Sequence, residues 1–235
     1  MRCDAAILEE FDTNMGEYYM GEIVQKCLSG PEGECAAVRF CRVIADAEKR
    51  YAVVMNLRGA VLPALFKAYP HGALEEFLPR VGSPSYLAEA LVGHDEDDRR
   101  ENPLGKIPPE VQLDWCRQNP ESNFDRAAAC VPFRADIKDE SCVAWHPLAA
   151  VLVVNSPDPG RIIRRIAERF DPMGGWGGSI AAAVERNGQL LDCLPIPLTP
   201  GLETVVVAVR LKVQAAAKRW RDWAERDQQE GQDFE

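Results

Sequence analysis

Apolar positions recur along this chain mainly at helical spacing. In residues 15–28, Tyr19, Ile23 and Cys27 form one i, i+4, i+8 row, and Met20, Val24 and Leu28 form a second. The two rows adjoin on a 3.6-residue helix, so the segment predicts an amphipathic helix. Ser29-Gly30-Pro31 ends it, with glycine near the C-cap and proline opening the next element. Residues 35–47 read as a second helix and 51–69 as a third. Pro63 lies inside the third pattern and predicts a kink or break, because proline lacks an N–H and clashes with the preceding turn. Pro70-His71-Gly72 then separates a short helix over 73–78, and another is expected over 85–91.

The pattern changes at residues 93–109. His94-Asp95-Glu96-Asp97-Asp98-Arg99-Arg100-Glu101 is followed by no apolar residue before Leu104, which reads as an exposed linker or long loop. Helices are expected again over 109–118 and 124–130. Residues 134–143 carry no clear period and read as a loop with a short hairpin. Residues 147–155 read as a helix, with a strand as the alternative because Val151-Leu152-Val153-Val154 is β-prone. Pro157-Asp158-Pro159 opens a helix to Phe170 with Ile162, Ile163 and Ile166 on its apolar face. Residues 180–194 follow. The last helix, 202–227, carries apolar or small residues at 202, 206, 209, 213, 216, 220 and 223, a stripe with alternating steps of four and three.

These patterns predict an all-α protein. Prolines expected to open helices stand at 31, 70, 109, 157 and 200, separated by 39, 39, 48 and 43 residues. Helix pairs of the HEAT and armadillo type repeat every 40 to 47 residues or so, which points to stacked antiparallel pairs in a solenoid-like array. The expected organisation is an N-terminal helical part over 1–92, an acidic loop or linker over 93–103, and a C-terminal helical part over 104–235 that ends in a long capping helix.

Composition narrows the partners. A net charge of −10 opposes general nucleic-acid binding, which needs a clustered basic surface, and gives no attraction to an anionic membrane. No apolar run approaches the roughly 20 residues of a spanning helix, and none resembles a secretory signal near the start. Eight cysteines, at 3, 27, 35, 41, 116, 130, 142 and 193, form no C-x-x-C pair. They read as reduced, small buried hydrophobes, which places the protein in a cytoplasm.

The C-terminal half carries an ordered set of short motifs. They are Ile107-Pro108-Pro109-Glu110 leading to Leu113-Asp114-Trp115-Cys116, Trp145-His146-Pro147-Leu148-Ala149, and Asn155-Ser156-Pro157-Asp158-Pro159. Phe170-Asp171-Pro172-Met173, Trp176-Gly177-Gly178-Ser179 and the terminal helix with Trp220 and Trp223 complete the set. In this order they resemble a HEAT-like helical-repeat module at the C-terminal end of large bacterial proteins, several linked to antiviral defence. The resemblance covers about residues 104–228, and Gly177 departs from it, since the module usually reads Trp-Ser-Gly-Ser there. It implies a solenoid-like fold without known catalysis and identifies no ligand.

Candidate chemistry is sparse. Gly174-Gly175-Trp176-Gly177-Gly178-Ser179 could present backbone N–H groups to an anion, but a phosphate loop needs a lysine beside the Ser or Thr. The sequence Gly177-Gly178-Ser179-Ile180-Ala181 also lacks the last glycine of a hydrolase elbow. Ser179 therefore reads as a helix N-cap and Trp176 as a plug that fixes the loop. The acids beside His94 lack the alternation of a calcium loop, and Cys35 and Cys41 have no second close pair of zinc ligands. His71 and His146 lie beside turns with no nucleophile near in sequence. The chain is thus expected to use no cofactor and no metal and to be no enzyme.

Two features could bind a protein. Arg161, Arg165 and Arg169, joined by Arg164, form a basic row that reads first as a solvated helix face and otherwise as a landing site for an acidic partner. Trp220 and Trp223 stand three residues apart near the end of the last helix. If the preceding helix, residues 180–194, packs on the upper part of the last one and runs out by Trp220, the indoles project toward a partner; the other reading folds them back onto the body. The function this supports is a protein–protein interaction or scaffold module of a bacterial defence or regulatory assembly. The alternative is a stand-alone acidic inhibitor or immunity-type protein that caps a basic toxin or nuclease.

Overall fold

The computed structural model describes residues 14–46, 61–82, 88, 91–92, 103–134, 143–171 and 177–232. They are mostly helical and contain no strand, so the all-α expectation holds. The only β pairing among them is an isolated bridge between Arg134 and Trp145, where the sequence suggested a hairpin. No described helix is long and apolar enough to cross a membrane. The chain divides into two compact units, Met1–Val131 and Pro132–Glu235.

In the first unit, α1 (Asn14–Leu28) and α2 (Gly33–Asp46) are joined by a tight turn. A Cβ on Gly33 would lie 2.1 Å from the Leu28 carbonyl oxygen, so only glycine lets the two helices approach so closely. On α2, Ala37, Phe40, Cys41, Ile44 and Ala45 are buried, spaced as an amphipathic helix requires. The next helix, α3, is described over 61–68 and includes Pro63. Residues 51–60, and with them the rest of the expected kink, lie outside the described residues.

The short helix expected over 73–78 is a π-turn, Ala73–Phe77, followed by a 3-10 turn, Leu78–Arg80. Its Phe77 meets Phe66 of α3 edge-on, with ring centroids 5.2 Å apart. A second 3-10 turn (Pro103–Lys106) leads to α4 (Pro109–Gln118) and α5 (Pro120–Cys130). The buried Gln112 amide donates to the carbonyls of Leu104 and Ile107, at 2.7 and 2.8 Å, and so ties that turn to α4. The α5 start expected at Phe124 moves to Pro120, because a polar first turn opened by proline carries no apolar signal. Both helices belong to the first unit, although the sequence reading grouped residues 104–131 with the C-terminal part. Of the expected linker over 93–103, residues 93–102 lie outside the described residues, and Pro103 opens the 3-10 turn.

The second unit contains α6 (Pro147–Asn155), α7 (Pro159–Ala167), α8 (Gly177–Gly188), a 3-10 turn (Gln189–Asp192) and α9 (Pro200–Gln232). His146 caps α6, its Nδ1 accepting from the Leu148 N–H at 3.2 Å. Asp158 caps α7 by accepting from the Arg161 N–H at 2.9 Å. The core gathers Ile162, Ile163 and Ile166 of α7, Ile180 and Val184 of α8, and Leu202, Val206, Val209, Ala216 and Ala217 of α9. The buried Trp145 indole donates to the Leu190 carbonyl at 2.9 Å.

Helices α8 and α9 run antiparallel. Arg210 reaches the Leu191 carbonyl beyond the end of α8, and Gly188 lies against Val213. Ile180 and Val184, near the start of α8, pack with Ala216, Ala217, Val213 and Trp220. Glu185 pairs with Arg221. A Cβ on Gly188 would stand 2.7 Å from a Val213 methyl, so glycine sets the spacing between the two helices.

Candidate interaction surface

The arginine row of α7 is not a solvated face. Arg161, Arg165 and Arg169 are half-buried, and only Arg164 is exposed. Arg165 pairs with Glu168. The Arg169 guanidinium sits 5.3 Å from the centre of the Phe133 ring, which itself contacts Phe170 at 5.1 Å. Phe133 thus covers the Arg169 end of the row. Arg164 alone keeps the exposure expected of the whole row.

Trp220 and Trp223 do not share one environment. Trp220 is half-buried on the cluster of Ile180, Val184, Ala216 and Ala217. Its Nε1–H donates to Asp171 Oδ1 at 2.7 Å, and Asp171 also pairs with Arg219. The expectation that α8 runs out before Trp220 is corrected here. With α8 antiparallel to α9, it is the start of α8 that lies level with residues 216–220. Trp223 stacks edge-on against Trp220, ring centroids 6.1 Å apart, and is 37% exposed. It forms the rim of this cluster.

A different surface stands out on α9. Val207 is 51% and Leu211 61% exposed, one turn apart, and Thr204, Ala208, Ala215 and Lys218 around them are exposed as well. Leu211 lies nine residues from both Leu202 and Trp220. Nine residues are about two and a half turns, so Leu211 points directly away from the buried stripe. The helix therefore has an inward apolar face and a shorter outward one. The signal was present in the sequence as Val207, Leu211 and Ala215 at i, i+4, i+8, but the longer inward stripe dominates the pattern.

The main buried ionic group lies in the first unit. Glu76 is nearly enclosed, and its carboxylate accepts from Arg42 Nε at 2.9 Å, with Arg80 Nη1 at 3.4 Å. Arg80 also reaches Asp46 at 2.5 Å and the Glu76 carbonyl at 2.7 Å. Tyr69 donates to Glu75. Burial, then the nearby Glu76 charge, pushes the Cys41 thiol up to about 12. Burial pushes Cys116 up to about 12 as well. Both stay protonated at neutral pH and are poor nucleophiles. The Glu76 group links α2 to the π-turn. Arg42 and Glu76, like Asp46 and Arg80, stand 34 residues apart in the chain, a separation no local pattern reports.

The other sequence candidates fall as follows. Cys41, Cys116 and Cys130 are buried thiols, whereas Cys35 and Cys193 are exposed, contrary to the expectation that all are buried. Ser179 is the third residue of α8 rather than its N-cap, because the helix starts at Gly177. Trp176 and the acidic run beside His94 lie outside the described residues. Among those described, no group of three His, Cys, Asp or Glu side chains could hold a metal ion. Comparison with known proteins gives no matching family model, no matching curated protein and no matching solved structure.

Proposed function

We propose that this chain is a non-catalytic protein-binding module that acts through the outward face of α9. The observation that carries this reading is the exposed pair Val207 and Leu211 on a 33-residue helix whose opposite side already serves the core. Exposed large apolar side chains grouped on one regular element mark interaction surfaces more often than isolated ones do. The side chains that sequence alone offered for chemistry have structural work instead. Cys41 and Cys116 are buried thiols, His146 caps α6, and Arg165 and Arg169 pack on their own unit.

The stacking of helix pairs in a HEAT-like manner belongs to this proposal. It is supported by the α6–α7 hairpin with its three-residue connection and by the antiparallel α8–α9 pair. A role in a bacterial defence or regulatory assembly rests on the C-terminal motif resemblance alone. The test is capture of proteins from a lysate of the source organism by the full chain and by Leu211→Arg. We expect the variant to melt as the wild type does and to lose the captured species. An unchanged set of captured proteins would overturn the reading.

A further inference from the structure

We propose that the outward face of α9 is the contact between two copies of this chain, paired antiparallel about Leu211. The proposal rests on the reading of that face as a binding surface and names its occupant. Its basis is the arrangement of charge about the apolar centre. Glu203 stands eight residues before Leu211 and Lys218 seven after it, and both are exposed. A two-fold axis at Leu211 sets each residue level with the one equally far on the other side of 211 in the second copy. Val207 then faces Ala215 of the second copy, and Glu203 comes level with Arg219. Lys218 and Arg221 flank that level on the same side of the helix as Glu203, by the rotation of about 100° per residue. The acid of each copy thus meets a base of the other, twice in one dimer. A parallel pairing would instead set Lys218 against Lys218, which like-charge repulsion disfavours. Antiparallel helices also oppose their macrodipoles.

The apolar row is short, covering Val207, Leu211 and Ala215 with Thr204 and Ala208 beside them. Such a row falls below the roughly 800 Å² per partner of a standard interface. The dimer is therefore weak, with a dissociation constant on the order of micromolar, and its population depends on concentration.

Sedimentation of the full chain over a range of concentrations tests this. The mass should rise from the 26.1 kDa of one chain toward twice that value. Glu203→Lys and Lys218→Glu should each weaken association tenfold or more, since each makes both contacts like-charged. An equimolar mixture of the two variants should restore the dimer, because every contact then again holds one acid and one base. Both positions are exposed, so each variant should keep the wild-type melting temperature, which excludes misfolding as the cause. A wild-type chain that stays at monomer mass throughout overturns the proposal, as does a dimer unaffected by either charge reversal. If the wild type is monomeric yet Leu211→Arg still loses another protein in the capture experiment, this proposal fails while the binding-surface reading stands. If Leu211→Arg changes neither association nor capture, both fail.

Discussion

Trp220 and Trp223 stand one turn apart, yet the structure gives them different weights. Trp220 fills the space between α8 and α9 and spends its indole N–H on Asp171, whereas Trp223 covers only its edge. Trp220→Ala should therefore cost about 2–4 kcal/mol of stability and Trp223→Ala less than about 1 kcal/mol, read from denaturant unfolding. Equal losses would contradict the assignment. The sequence marks both residues as part of one stripe. It cannot show the acceptor, which lies 49 residues away on the segment after α7.

The thiols give a second test at this scale. Cys35 and Cys193 should alkylate in the native protein, and Cys41, Cys116 and Cys130 only on unfolding, as mass mapping of labelled peptides would show. Cys41 also predicts a pH dependence. Its folded pKa is raised from 9.0 to about 12, so the folded state holds that proton more tightly than the unfolded chain. Its contribution is complete below roughly pH 9 and is lost as pH rises toward 12. Cys41→Ala should show a shallower alkaline loss of stability than the wild type. An identical alkaline slope would show that the buried thiol does not supply it. That these thiols are unequal was not readable from the sequence, because apolar neighbours in the chain surround exposed and buried cysteines alike.

At the scale of elements, much was legible. The observed α4 and α6 agree with the expected helices over 109–118 and 147–155. The stripe from Leu202 to Ala216 is the inward side of α9. Proline spacing is a weak sign of repeats on its own. Pro120 and Pro147 also open helices, so one proline per repeat is not the rule here. Proline suits the first turn of any helix, and its position therefore reports starts rather than periods. The π-turn was hidden as well, because its apolar residues fit a short α-helix equally well. The packing of α8 on α9 depends on Gly188. Gly188→Ala should destabilise the protein by about 1–3 kcal/mol through the clash with Val213, and Val213→Ala should recover part of that loss. If Gly188→Ala is neutral or stabilising, as helix propensity alone would have it, the close approach is not real.

Across the whole molecule, the division into units follows packing rather than charge. The acidic run drew the sequence-based boundary to 93–103, but Leu104, Ile107, Cys116 and Phe124 are buried within the first unit. A run of charges in a sequence need not separate two cores. The candidate surface was legible only in hindsight, because α9 carries two apolar faces and the buried one is longer. Its role is best tested where the two faces can be compared in one sample. Hydroxyl-radical footprinting of the full chain at rising concentration reads the solvent access of Val207 and Leu211, with exposed Val154 and Leu198 as internal controls. The account predicts that oxidation of Val207 and Leu211 falls severalfold as concentration rises while that of Val154 and Leu198 stays constant. Oxidation of all four that is independent of concentration would contradict it.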